Sequence, residues 1–308
     1  MGESSRMREQ EADAIRHALD LGYPMIDTAE MYGDGVAEEI IGGVVKGRRD
    51  RPFIVSKVYP HNATRAGTIA ACERSLGRMG IERIDLYLLH WRGGVRLAET
   101  YEAFFRLRQD GKIGDFGVSN FDLDDMEEAA GIDKGLTASN QVLYCLSRRG
   151  PDFDLLPWMR KRSIPLMAYS PLDQGRLLGK SVIKKISQDA GCTPSQLCLA
   201  WVLAQPGVVT IPKSSTRARV KENLGALDVK LTPQMLAELD RAFPGSTSTS
   251  PPGRCWPWWA PRGWGSRPCC TCWGPSTGPS PARSPSTGAT CWACRSMRAR
   301  RAKGRCSW

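Results

Sequence analysis

Strand-type and helix-type segments alternate along most of the chain. Seven short apolar runs are typical of strands, at residues 24–32, 52–58, 84–91, 114–120, 138–144, 165–172 and 208–215. Segments with the helical period lie at residues 8–21, 36–47, 64–79, 97–110, 122–130, 155–162, 195–205 and 232–242. Such alternation is typical of βαβ units, in which neighbouring strands run parallel. The sequence therefore predicts an α/β fold with a parallel sheet.

Two architectures are built from such units, the (β/α)8 barrel and the doubly wound sheet. A doubly wound nucleotide-binding sheet normally carries a G-x-G-x-x-G fingerprint after its first strand, and no early strand–helix junction of this chain has one. Polar residues instead stand at or just beyond the ends of three successive strand runs, namely Asp27 and Tyr32, then Lys57, then His90. In a barrel the active site lies at the C-terminal ends of the strands. We therefore expect a TIM-type (β/α)8 barrel.

Composition divides the chain into a body and a tail. The net charge of +11 comes almost entirely from residues 251–308, which hold ten basic and no acidic residues, whereas residues 1–250 hold 33 basic and 32 acidic ones. The tail lacks Leu, Ile, Val, Phe and Tyr and is rich in Pro, Gly, Ser and Arg, so it has little with which to build a core. We expect a barrel domain at residues 1–246 and a low-complexity, disordered tail at residues 247–308.

Charge and hydropathy also limit the classes of partner that the sequence predicts. A body with balanced charge argues against nucleic acid, and no run reaches the ~18 apolar residues that span a bilayer. Cys291 and Cys294 in the tail have a zinc-like C-x-x-C spacing, but cysteines this dense meet that spacing by chance, and we predict no metal site. We expect a cytoplasmic monomer that acts on a small molecule.

Seven strings, in this order, resemble those of the aldo-keto reductases: IDTAEMYG, SKV, DLYLLHW, GVSNF, NQV, AYSPL and IPKSSTRARVKEN. The resemblance covers about residues 2–244 and is specifically to the bacterial NADPH-dependent aldehyde and methylglyoxal reductase-like branch. It implies reduction of small aldehydes or ketones to alcohols. That family begins with a β-hairpin and a first barrel strand of the type GLGTW, whereas this chain resembles it from the following loop onward. The resemblance thus implies an incomplete barrel, with strands 2–8 present and strand 1 missing.

By this resemblance Tyr32 is the general acid that protonates the carbonyl oxygen as hydride reaches the carbon. A free phenol, with a pKa near ~10, gives up its proton reluctantly at neutral pH. Lys57 would favour the phenolate through its positive charge, and Asp27 would orient Lys57 through an ion pair. His90 would hydrogen-bond the substrate carbonyl, with Trp91 beside it in the substrate pocket.

The remaining strings resemble a cradle for NADPH/NADP+. The resemblance implies that Ser119, Asn120 and Gln141 hold the nicotinamide carboxamide. It also implies that Tyr169 stacks on the nicotinamide ring and that Ser170 and Leu172 line the pyrophosphate path. It further implies an adenosine end bound by Lys213, Ser214 and Arg219 at the 2′-phosphate and by Glu222 and Asn223 near the adenine. An Arg fork and a Lys point charge suit a dianionic phosphate, so NADPH is expected over NADH.

A second hypothesis stays open. If strand 1 and the C-terminal loop that closes over the substrate are both missing, the chain would be a truncated, catalytically poor NADP-binding protein or a fragment without function. The complete set of four catalytic residues favours the reductase. The missing strand favours the second reading, because an open barrel leaves backbone groups unpaired.

Overall fold

The computed structural model describes residues 7–245, and the predicted tail at 247–308 lies outside the described residues. Within residues 7–245 the strands are β1 (Met25–Asp27), β2 (Phe53–Val58), β3 (Ile84–Leu89), β4 (Ile113–Ser119), β5 (Asn140–Leu143), β6 (Leu166–Tyr169) and β7 (Val208–Thr210). The helices are α1 (Arg8–Asp20), α2 (Val36–Val45), α3 (Arg65–Met79), α4 (Leu97–Gln109), α5 (Leu123–Asp133), α6 (Leu155–Lys161), α7 (Ser181–Asp189), α8 (Pro194–Leu203), α9 (Arg217–Leu224) and α10 (Pro233–Ala242).

The strands form one parallel sheet in which each strand lies beside its neighbours in sequence, from β1 to β7. The sheet curls like part of a (β/α)8 barrel, and in the described part of the chain β1 and β7 do not pair with each other. The predicted α/β barrel with seven visible strands is therefore confirmed. The predicted run at residues 24–32 is shorter as a strand, because the chain turns after Asp27 and enters a 3₁₀ turn at Tyr32–Gly35.

Two apolar layers hold the sheet. The larger core lies between the sheet and the helices and includes Ile54, Tyr87 and Phe104. A smaller cluster fills the concave side and consists of Val55, Leu86, Leu88 and Met167. Neighbouring residues on one strand, such as Ile54 and Val55, belong to different layers because strand side chains alternate between the two faces.

The helices differ in how clearly the sequence predicts them. Helix α8 begins with a capping box, in which Thr193 and Gln196 bond each other's backbone amides, followed by Pro194 in the first turn. Helices α7 and α9 are absent from the predicted segments. Only Val220 is buried in α9, so that helix lacks the apolar stripe on which the periodicity argument depends. Tertiary contacts, rather than sequence periodicity, define it.

Helices α2 and α3 approach each other closely at one glycine. A Cβ atom on Gly42 would lie 2.7 Å from the Met79 carbonyl oxygen, so only glycine fits there. The adjacent Gly43 has open space around the same position. Among residues 7–245 there is no helix with the length and apolarity needed to cross a membrane.

Candidate active site

The four predicted catalytic residues lie together at the C-terminal ends of β1, β2 and β3. Lys57 Nζ donates one hydrogen bond of 2.7 Å to Asp27 Oδ2 and another of 2.7 Å to the Thr28 carbonyl oxygen. The same ammonium lies 5.1 Å from the centroid of the Tyr32 ring. The Tyr32 and His90 rings meet edge to face, with centroids 5.6 Å apart. The structure thus brings the four residues together, while their catalytic roles stay predictions.

The two-residue period of a strand explains why these side chains point into the barrel. Val55 and Leu88 belong to the cluster on the concave side of the sheet. Lys57 follows Val55 by two residues, and His90 follows Leu88 by two residues. Apolar side chains therefore fill the interior below, and the polar side chains form the next layer toward the C-terminal face.

Lys57 is fully buried and carries its charge there. Burial by itself would lower the pKa of the ammonium. The negative charge of Asp27 and the contact with Tyr32 together outweigh burial, so the pKa of Lys57 is raised above its usual value. A permanent positive charge therefore lies beside the phenol of Tyr32.

The phenol of Tyr32 keeps its proton at neutral pH. Burial raises the pKa of Tyr32, the charge of Lys57 lowers it, and the charge of Asp27 raises it again, so the pKa lies above the usual value. We expected Lys57 to favour the phenolate, and its charge acts in that direction. Burial outweighs it because a phenolate loses more solvation than a phenol. The group is therefore a proton donor in its resting state.

His90 is neutral. Burial, followed by the charge of Lys57, lowers the pKa of His90 to about 2. A neutral imidazole has one N–H donor and one acceptor nitrogen. Its Nδ1 atom is buried and has no hydrogen-bond partner within residues 7–245. As a neutral imidazole the ring can donate a hydrogen bond, but it cannot act as a cationic acid near neutral pH.

Four residues predicted to contact the nicotinamide end form a chain of hydrogen bonds with Asp27. The Ser119 hydroxyl donates to the Gln141 carbonyl at 2.8 Å, and Gln141 Nε2 donates to Asp27 Oδ1 at 2.7 Å. Asn120 Nδ2 donates to Ser119 Oγ at 3.1 Å, and Asn120 Oδ1 accepts from the Tyr169 hydroxyl at 2.9 Å. The ends of β4, β5 and β6 are thus joined to Asp27 and through it to Lys57. The link between Gln141 and Asp27 was not predicted.

The backbone at two of these strand ends has an uncommon conformation. Asn120 follows β4 with a φ of 59°, and Ser170 follows β6 with a φ of 49°. The left-handed region is uncommon for residues other than glycine, and such strain concentrates at functional sites. Leu172, two residues beyond Ser170, is partly buried against the outer core. These turns set the direction in which the chain leaves the C-terminal face.

The residues predicted to bind the 2′-phosphate form a second group, after β7 and at the start of α9. Lys213 is exposed, and its Nζ atom lies 3.6 Å from Glu11 Oε1 of α1. The Ser214 hydroxyl makes a long hydrogen bond of 3.4 Å to the backbone. Arg219 is exposed and forms no ion pair with any described residue. Both cations are therefore exposed, although Lys213 already lies beside the carboxylate of Glu11.

The two residues predicted near the adenine differ in what they contact. The Glu222 carboxylate accepts a hydrogen bond of 2.7 Å from the Thr193 hydroxyl, and its carbonyl accepts one of 3.0 Å from Gln196 Nε2. Glu222 therefore ties α9 to the N-terminus of α8. Asn223 is partly buried in the same helix.

Sequence reasoning missed Glu30. This buried carboxylate accepts hydrogen bonds from the Tyr59 backbone amide at 2.7 Å and from Asn62 Nδ2 at 3.0 Å, and it pairs with Arg74 at 3.4 Å. Glu30 thereby ties the turn that carries Tyr32 to the loop after β2. The one signal in the sequence was an acidic residue two positions before Tyr32.

Aromatic rings line the space beside His90. The Trp91 ring centroid lies 4.9 Å from that of His90 and 4.9 Å from that of Tyr59. The Tyr59 ring in turn stacks on His61 at 4.3 Å. Trp91, predicted to contact the substrate, is therefore part of an aromatic wall that sequence reasoning only partly anticipated.

Comparisons with known proteins bear on the family and the fold of the chain. A model of the Aldo/keto reductase family matches residues 2–243. The chain is 46% identical over 250 residues to methylglyoxal reductase YeaE of Escherichia coli, covering 79% of this chain and 88% of that protein. It is 36% identical over 231 residues to glyoxal reductase of Bacillus subtilis, covering 74% and 82%. A crystal structure of a Klebsiella pneumoniae aldo/keto reductase in complex with NADP and acetate superposes with a TM-score of 0.79 at 46% identity, covering 81% and 90%.

Proposed function

Because the chain belongs to the aldo/keto reductase family, we propose that it is an NADPH-dependent reductase of small aldehydes and ketones. One observation carries the proposal, the buried group made of protonated Tyr32, cationic Lys57, Asp27 and neutral His90. Negative charge develops on a carbonyl oxygen as hydride adds to the carbon. An acid beside a fixed positive charge suits that change.

Each residue has one proposed task. Tyr32 gives its phenolic proton to the carbonyl oxygen while the carbonyl carbon accepts a hydride, so that an aldehyde becomes a primary alcohol. Lys57 stabilises the phenolate that Tyr32 becomes, and solvent then returns the proton. Asp27 keeps Lys57 charged and oriented through the 2.7 Å ion pair. His90, being neutral, hydrogen-bonds the carbonyl oxygen and holds the substrate in line.

The polar groups at the C-terminal face fit a nicotinamide cofactor. In the described part of the chain Gln141 bonds Asp27 through its amide nitrogen, which leaves its Oε1 atom to accept from a carboxamide. Ser119 and Asn120 supply a hydroxyl and a second amide, and the Tyr169 ring offers a stacking surface. When bound, reduced nicotinamide supplies the hydride. Ser170 and Leu172 are proposed to line the pyrophosphate path.

The adenosine end is assigned to the second group. Lys213, Ser214 and Arg219 are proposed to bind the 2′-phosphate, with Glu222 and Asn223 near the adenine. The exposure of Lys213 and Arg219 supports this assignment, because both side chains can reach a ligand from solvent, Lys213 while it stays beside Glu11. Crystal structures of Klebsiella pneumoniae aldo-keto reductases in complex with NADP and with NADPH support the choice of cofactor.

Substrates are proposed to be small carbonyl compounds, including 2-oxoaldehydes such as methylglyoxal. The names of the Escherichia coli and Bacillus subtilis relatives support this class. The aromatic wall of Trp91 and Tyr59 offers a flat apolar surface beside His90, which suits a compact substrate. We further propose that the protein acts as a cytoplasmic monomer, for which light scattering of the purified protein is the test of oligomeric state.

One observation favours the alternative, a catalytically poor NADP-binding protein. Within residues 7–245 the sheet is open between β1 and β7. An open edge leaves backbone groups unpaired and loosens the strands that carry the site. Under this alternative NADPH binds but no aldehyde is reduced.

The two proposals differ in one assay. The full-length protein is mixed with NADPH and methylglyoxal, and cofactor oxidation is followed by absorbance. For Tyr32→Phe we expect a loss of turnover of at least about 100-fold, the lower range for a removed general acid, with an unchanged dissociation constant for NADPH. Tyr101→Phe is the matched control, because it removes a buried hydroxyl that bonds Thr137 in the outer layer.

Three outcomes separate the readings. Turnover by the wild type that Tyr32→Phe leaves intact would refute the role of Tyr32. NADPH binding without turnover on methylglyoxal, glyoxal or an aromatic aldehyde supports the alternative. Failure to bind NADPH at all would overturn both proposals.

A further inference from the structure

Acidic residues of α1 face the cations that follow β7. Glu11 lies with its carboxylate 3.6 Å from Lys213 Nζ, and only 7% of its side chain is exposed. Two residues later, Asp13 holds Arg217 through both carboxylate oxygens, one of them 2.6 Å from Arg217 Nε. The two pairs differ in burial, because the Asp13 side chain is 36% exposed. Helix α1 therefore presents one buried and one exposed carboxylate to the same segment.

The charge of the buried carboxylate is screened less than that of the exposed one. Salt and water screen an exposed charge such as that of Asp13, and they screen a buried charge much less. Lys213 is 57% exposed, so its ammonium can contact a ligand from solvent while Glu11 stays beneath it. Any anion that binds Lys213 therefore meets the field of Glu11 at short range.

We propose that Glu11 is a specificity-determining residue for the cofactor, because its carboxylate limits how strongly Lys213 favours an adenosine 2′-phosphate over a 2′-hydroxyl. The inference rests on the proposed function, in which Lys213 binds that phosphate. Glu11 neutralises part of the Lys213 charge before the cofactor arrives, and it repels the phosphate afterwards. Both effects weaken NADPH binding, and neither acts on NADH, whose 2′-hydroxyl is uncharged.

The test measures dissociation constants of NADPH and NADH by calorimetry on the full-length protein. Glu11→Gln keeps the shape and polarity of the side chain and removes its charge. A unit charge ~8 Å from the phosphate in a medium of intermediate dielectric predicts about fivefold tighter NADPH binding, with the NADH constant unchanged. Asp13→Asn is the matched control, since it removes the same charge two residues away and should change the NADPH constant much less.

A double mutant isolates the path of the effect. Lys213→Met alone should weaken NADPH binding. When Glu11→Gln is added to Lys213→Met, the gain in NADPH affinity should be smaller than the gain that Glu11→Gln gives in the wild type, because part of its effect passes through Lys213. A gain in affinity for one cofactor alone cannot come from partial unfolding, which would weaken both. If Glu11→Gln does not fold, Glu11→Asp is the substitute variant, because its side chain is one methylene shorter and its carboxylate lies farther from Lys213. A smaller gain in NADPH affinity is then expected.

The outcomes distinguish this inference from the proposed function. If the wild type prefers NADPH and Lys213→Met abolishes that preference, while Glu11→Gln matches the wild type, only the role of Glu11 is wrong. If Lys213→Met leaves NADPH binding unchanged, the assigned phosphate site is wrong and the inference fails with it. Equal tightening of NADPH and NADH by Glu11→Gln would also refute the inference.

Discussion

His90 should make the fold sensitive to acid, and this can be tested without a ligand. Burial and the charge of Lys57 lower the pKa of His90 to about 2, against 6.5 for a free imidazole. As the pH falls below 6.5 the unfolded chain takes up a proton at this residue, whereas the folded protein does not until about pH 2. The unfolded state thus binds more protons in that window. The stability that neutral His90 contributes is complete above pH 6.5 and is lost as the pH falls toward 2.

The size of the effect follows from how far the pH lies below the pKa of His90 in the unfolded chain. Each pH unit below the unfolded pKa changes the free energy of unfolding by about 1.4 kcal/mol per proton. At about pH 5, roughly 1.5 units below the unfolded value, the expected loss is about 2 kcal/mol. Domains of this kind are stable by only about 5–15 kcal/mol in total, so the loss is large enough to measure.

The assay is urea unfolding followed by tryptophan fluorescence at about pH 7.5 and about pH 5, on the wild type, His90→Gln and His61→Gln. Between the two pH values the wild type should lose about 2 kcal/mol more than His90→Gln, since other titrating groups cancel in the difference. His61→Gln should follow the wild type, because it retains His90. Equal losses in the wild type and His90→Gln would show that His90 is not buried in its neutral form.

Two further predictions concern the outer layer. Gly42→Ala should lower the free energy of unfolding by about 1–3 kcal/mol, because its Cβ would meet the Met79 carbonyl oxygen at 2.7 Å. Gly43→Ala, where the Cβ meets open space, should raise the free energy of unfolding by about 0.5–1 kcal/mol. Calorimetric melting of both variants is the measurement. Arg78→Met should cost about 3–5 kcal/mol, because it leaves the fully buried Glu38 carboxylate without its 2.9 Å partner. A loss below about 1 kcal/mol in urea unfolding would contradict that reasoning.

Local pattern was enough to predict that Asp27, Tyr32, Lys57 and His90 lie together. Lys57 and His90 could be predicted because each ends an apolar strand run, and parallel strands of a barrel expose their C-terminal ends at one face. The two-residue period then decides which side chains enter the interior, as for Lys57 two positions after Val55. Neither step needs knowledge of a long-range contact. The fold class and the grouping of these side chains at one face are therefore available from sequence.

Contacts between distant segments were not available in the same way. The bond from Gln141 to Asp27 joins residues 114 positions apart, and nothing in either string specifies that partner. Glu222, which we predict near an adenine, also accepts a hydrogen bond from Thr193 at the N-cap of α8, and neither string specifies that partner. The pKa of Tyr32 depends on a balance between burial and charge, which a sequence does not state.

These cross-barrel bonds bear on how an open sheet can keep its site in register. In the described part of the chain β1 has three residues and pairs along one edge only, with β2. Its last residue, Asp27, is nevertheless held by Lys57 of β2 and by Gln141 of β5, each at 2.7 Å. Charged hydrogen bonds of this kind are about twice as strong as neutral ones. Side-chain bonds across the interior, rather than ladder bonds along the sheet, therefore fix the carboxylate that orients Lys57.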